Sequence, residues 1–99
     1  MAQLIVVRWR DIPAQVIVKA GRATARRQLS ERFEKAIDMC AMRVGAKDED
    51  AYLAEWRRGD PAEVDGDLEA AADKAAQELE ATYTDERLRR LIDSAGFER

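Results

Sequence analysis

The chain has 99 residues, 46% of them hydrophobic and 37% charged, a balance that fits one small globular domain and excludes fibrous, collagenous and membrane-spanning classes. It contains no histidine and a single cysteine, which removes the commonest general base, every Ser-His or Cys-His pairing and any intramolecular disulfide. The net charge of −3 conceals a division: residues 1–47 carry ten Lys/Arg against four acids, or +6, so the other 52 carry −9. The apolar run Leu4-Ile5-Val6-Val7 is interrupted by Arg8 and Arg10 before a signal segment or membrane span could form. A soluble, cytoplasmic protein is expected.

Residues 3–10 combine β-branched side chains with a turn signal at Asp11-Ile12-Pro13, and residues 14–20 form a second β-rich run stopped by Gly21. Together they predict a β-hairpin, with Pro13 in the connection because it has no ladder donor. Both faces of that hairpin are apolar: Leu4 and Val6 alternate with Ile5, Val7 and Trp9, and Val16 and Val18 flank Ile17. A two-stranded ribbon is marginal in water. Helices are therefore expected on one face, and the other face or the open hairpin edge is expected to serve association, as a homodimer or with a partner protein.

From Thr24 the period changes to 3.6, with Ala25, Leu29, Phe33, Ala36, Ile37, Cys40 and Val44 on one stripe and Gly45 closing it. This predicts a long helix over about 23–44. Asp48 with Glu49 and Asp50 opens a short helix over about 48–58, with Arg57 and Arg58 at its negative end. Acid-rich residues 60–67 form a loop. Helices follow over about 67–82, with Leu68, Ala72, Ala75, Leu79 and Tyr83 inward, and over about 85–95, capped by Thr84 and ended in a Schellman motif with Gly96 at C′ and Phe97 folded back on Ile92. The expected fold is α+β, a single domain over 1–99 with a hairpin and basic helix region at 1–59 and an acidic helical region at 60–99.

Chemistry-bearing residues are few. Cys40 lies on the apolar stripe, where a thiol packs as a small hydrophobe. The acids Asp60, Glu63, Asp65, Asp67 and Glu69 surround Gly66, but a calcium loop with Gly66 sixth would begin on Pro61 and end on Ala72, so both ends fail. No catalytic residue, metal site or cofactor is expected. Arg22, Arg26 and Arg27 stand at the predicted start of the long helix, where cations oppose the macrodipole. Two accounts stay open for them. They pair with the acidic second half, or they join Arg8, Arg10 and Trp9 as a docking point for a carboxylate, a phosphate or an acidic protein patch. Met39 and Met42 fall off the core stripe beside Gln28, Arg32 and Lys35, as an adaptable partner surface would. Nucleic acid is not expected, since Trp9 is the only aromatic among the basic hairpin residues.

The run Val7-Arg8-Trp9-Arg10-Asp11-Ile12-Pro13-Ala14-Gln15-Val16, followed by Gly21-Arg22 and Leu29-Ser30-Glu31-Arg32-Phe33, resembles a family of short bacterial proteins labelled only "virulence factor". The resemblance implies a non-catalytic accessory role. The module is similar to a segment of larger virulence factors with NifU-like and HEAT-repeat parts, and free-standing versions accompany methylenetetrahydrofolate reductase and corrinoid methyl-transfer proteins. Two functions are expected on this footing: an interaction module, as an accessory subunit of a one-carbon methyl-transfer system, or a small anion-binding protein using the arginine cluster for a phosphorylated or polycarboxylate ligand.

Overall fold

A computed structural model describes residues 2–45 and 48–98. Its centre is β1 (Ala2–Trp9), which turns at Arg10-Asp11 into the antiparallel β2 (Ile12–Ala20). A second turn at Gly21-Arg22 leads into β3 (Ala23–Gln28), antiparallel along the far edge of β2. Gly21 has a φ of +59° there, a value that glycine adopts without a Cβ penalty. After α1 (Glu31–Arg43) and α2 (Glu49–Leu53) the chain returns to the other edge of β1. β4 (Trp56–Arg58) pairs with Val7–Trp9, and β5 (Ala62–Val64) pairs with Ala2–Leu4. Two helices finish the chain, α3 (Leu68–Thr82) and α4 (Asp85–Asp93). The class is α+β, as the pattern of the sequence predicts.

Alternation along the strands sorts residues between two faces. Ala2, Leu4, Val6, Val16, Val18 and Ala25 meet Leu68, Ala71, Ala72 and Ala75 of α3, whose small side chains let the helix lie close to the sheet. At the turn end of the hairpin, Trp9 and Ile12 meet Phe33, Ile37 and Cys40 of α1 and Leu88, Leu91 and Ile92 of α4. The indole N–H of Trp9 donates to the Tyr52 carbonyl at 2.9 Å, so its one polar atom is satisfied in the interior. Three helices start at side-chain caps, of which the sequence names Asp48 and Thr84. Asp48, Asp67 and Thr84 each accept from the backbone N–H three residues on.

Several expected elements are different. The helix expected over 23–44 begins only at Glu31, because residues 23–28 are strand β3. Ala, Arg and Gln are good helix formers, but the turn at Gly21 sets this segment beside the open ladder of β2, and Ala25 is buried there between the exposed Thr24 and Arg26. The helix expected over 48–58 stops at Leu53, and Trp56–Arg58 instead pairs with β1. The acidic loop contains β5. Pro13 is not in the turn but inside β2, opposite Arg8, beside an irregularity of register at Val7/Arg8 that accommodates a residue without an N–H. Both edges of the hairpin are consequently paired within the chain, and the edge expected to serve association is not free. The closing Schellman motif lies one residue earlier than expected. Ala95 (φ +61°) occupies C′ and Gly96 C″, with Gly96 N–H donating to the Leu91 carbonyl and Ala95 N–H to that of Ile92.

Candidate functional site

The face of the sheet opposite α3 is built on Ile5, Val7 and Ile17, a small apolar cluster that contains no helix residue and has Trp56 at its margin. All three are buried, so the cover comes from neighbouring side chains of the same face. Strand register supplies them. Lys19 stands beside Gln3, Arg26 opposite Ile17, and Gln15 and Arg58 on either side of Val7. Long cationic side chains lay their methylenes over such a floor while keeping the charge in water. At one end a shallow depression of about 360 Å³ is lined by Val7, Gln15, Trp56, Arg57 and Arg58. Trp56 also forms part of a smaller cleft of about 160 Å³ reaching Ala14, Glu34 and Tyr52.

Arg26 and Arg27 separate here. Adjacent strand residues point to opposite faces, and Arg27 turns toward α3, where its Nε donates to Asp73 at 2.6 Å and its Nη2 to Glu69 at 3.0 Å. Those bonds, Asp73 first, hold the Arg27 guanidinium above its ordinary pKa. Arg26 faces the other way, with no carboxylate within 4 Å among the described residues. Lys19, Arg57 and Arg58 share that condition, as do Arg8 and Arg22. The two accounts left open by the sequence thus divide the cluster: internal pairing is right for Arg27, and Arg22 and Arg26 remain without acids. The cluster does not stand at a helix N-terminus, since α1 begins four residues after Arg27, and Arg26 and Arg27 do not converge on one ligand.

Other expected site residues are internal. Trp9 is fully buried and reaches no partner. Arg10, also placed in the docking set by its sequence position, binds the interior of the fold. It donates to the Ala95 carbonyl, lies between the rings of Trp9 and Phe97, and its Nε sits 3.2 Å from Glu55 Oε2, an ion-pair contact outside hydrogen-bond alignment. Phe97 therefore stacks under Arg10 and Arg57, the second at 5.9 Å. Met39 and Met42 are 50% and 73% exposed. Arg57, Arg58, Lys19 and Trp56 were not among the expected site residues. The acids at 48–50 announce a helix start, and its implied continuation to residue 58 hides Trp56, Arg57 and Arg58. Their signal is Trp56-Arg57-Arg58, an aromatic and cationic run like Arg8-Trp9-Arg10 and followed by Gly59.

Cys40 is fully buried. Burial pushes its thiol pKa up, against a smaller opposing pull from Arg10 and Arg43, so the thiol stays protonated and poorly nucleophilic. Among the described residues no group of three or more Cys, Asp or Glu side chains is placed to hold a metal ion, and no helix is long and apolar enough to cross a membrane.

The fold and site thus define a five-stranded antiparallel sheet with α3 on one face and a cationic, unroofed second face. The chain belongs to the virulence factor family, whose model matches residues 7–92. No curated protein and no solved structure matches it.

Proposed function

We propose that this protein is a non-catalytic interaction module that docks an acidic surface of a partner protein on its open sheet face, through Lys19, Arg26 and Arg58 around Trp56. One observation carries the reading: cations without internal acids gather on the face that no helix covers, whereas the neighbouring Arg27 is neutralised by α3. A face of this kind favours complementary charge and speeds encounter with it. Its apolar floor and the Trp56 ring add contact area that a simple counter-ion atmosphere would not use. The anion-binding alternative loses the helix terminus on which it rested, and no specific observation favours it.

The accessory role in one-carbon methyl transfer comes from the family resemblance and selects the first partners to try, methylenetetrahydrofolate reductase and corrinoid methyl-transfer proteins. The test is a binding titration of those purified proteins against the wild type and an Arg26→Glu/Arg58→Glu variant. Expected are saturable binding that weakens with salt and a loss of at least about ten-fold in the variant, at an unchanged melting temperature. Equal binding by the two proteins would refute the role of this face. Absence of binding by any of them would refute the methyl-transfer assignment.

A further inference from the structure

A further cavity lies away from the sheet face, between α1 and α4. It is an open trough of about 460 Å³. Helical spacing explains it. On α1, positions 32, 35, 36, 39 and 43 form a second stripe beside the core stripe, and positions 85, 88, 89 and 92 of α4 form its counterpart. Ala36, Leu88 and Ile92 make the floor, and Met39, half-exposed, makes one apolar wall. Ion pairs brace the helices: Arg43 to Asp93 at 2.7 Å and Arg32 to Asp85 at 3.2 Å. Those pairs consume both acids of the lining. The remaining cations stand on opposite walls. Lys35 has only an exposed contact with Glu31 at 3.6 Å, and Arg89 has no carboxylate within 4 Å among the described residues.

We infer that this trough is a second docking site, independent of the sheet face, for an amphipathic helix of a partner protein that carries apolar residues at i, i+3/i+4 and i+7 and acids along both flanks. The trough runs from residue 32 to 43 of α1, roughly 16 Å at 1.5 Å per residue, which matches about three helical turns. Its floor of small and aliphatic residues accepts an apolar stripe, as helix-binding grooves do, and exposed methionine adapts to the side chains it meets. Lys35 on one wall and Arg89 on the other select for acids on either flank of the entering helix. A basic helix would meet Arg89, which has no carboxylate within 4 Å among the described residues, and Lys35, held only by its exposed contact with Glu31, and an extended strand finds no free backbone ladder between two helices.

The probe is a displayed library of helical peptides with a fixed apolar stripe at i, i+4 and i+7 and free choice at the flanking positions. Wild-type protein is expected to enrich Asp and Glu on both flanks. A Lys35→Glu/Arg89→Glu variant should turn that preference toward Lys and Arg, and Met39→Glu should weaken a selected peptide about ten-fold or more. The Arg26→Glu/Arg58→Glu variant should select the same peptides as wild type, which separates failure here from failure at the sheet face. Melting curves verify that each variant is folded, since all the substituted residues are exposed. Failure to enrich acids, or a preference that charge reversal at 35 and 89 leaves unchanged, overturns the inference. So does a wild-type dimer in sedimentation that Met39→Glu dissociates, because a second copy would then fill the trough.

Discussion

Arg26 and Arg27 are consecutive in one edge strand, yet Arg27 is tied to two carboxylates of α3 and Arg26 faces solvent on the opposite side of the sheet. The same division runs through the hydrophobic residues. Val16 and Val18 lie under Ala72 and Ala75, whereas Ile5, Val7 and Ile17 are shielded without any helix. A sheet residue's neighbours in the chain therefore say little about its energetic role. What decides it is parity, and whether the rest of the chain supplies a layer for that parity.

The sharpest way to break this comparison is to remove the same methyl groups from each side. Val16→Ala on the covered face is expected to cost about 2 kcal/mol by chemical denaturation, and Val7→Ala on the open face about 1 kcal/mol, since the cavity under α3 cannot be refilled by flexible side chains or water. Equal losses would mean that the open face is packed as tightly as the covered one.

A smaller effect is expected where α3 holds the start of α1. Glu80 accepts from the Ser30 backbone N–H at 2.6 Å, from the Ser30 hydroxyl at 2.8 Å and from Arg32. Burial alone would raise the Glu80 pKa, but these bonds outweigh it and hold the carboxyl below its usual value. Glu80→Gln should cost roughly 1 kcal/mol at neutral pH. Because the folded pKa is lowered, that contribution is complete above the ordinary carboxylate pKa, about 4.3, and disappears as pH falls through the folded value. Melting curves of variant and wild type should converge only once the pH has fallen below the lowered folded value; a constant gap would show that the charge of Glu80 is immaterial.

The smallest effect carries the comparison itself. Arg27→Gln should lower the melting temperature and lose that effect in high salt, while Arg26→Gln should leave it unchanged. A loss of similar size at both positions would remove the distinction on which the docking face rests.

Much of the architecture was legible in the sequence, and the failures share one cause. The hairpin, the caps at Asp48 and Thr84, and the apolar stripes of α1, α3 and α4 are local patterns, and each appears in the fold. β3, β4 and β5 are strands only because β1 and β2 offer them ladders. Ala23–Gln28 has helix-forming composition, and Trp56–Arg58 is three residues long and pairs nearly 50 positions back in the chain. The site was legible in proportion. Arg22, Arg26, Met39 and Met42 are exposed, whereas Trp9 and Arg10 are claimed by the interior, and Arg57 and Arg58 could be placed only once β4 was known.

The pairing of β1 also imposes an order of events during synthesis. β1, β2 and β3 form a local meander that can assemble early, but the second edge of β1 waits for residues 56–64, and the turn at Arg10-Asp11 waits for the Ala95 and Gly96 carbonyls. Non-local closures of this kind are slow because loop entropy is lost before contacts repay it. A nascent or truncated chain ending before β4 would present an uncapped ladder along Ala2–Trp9, rich in Ile and Val, to any other chain it met. Residues 56–64 thus act as a latch, and their arrival marks the moment at which the first strand ceases to be adhesive.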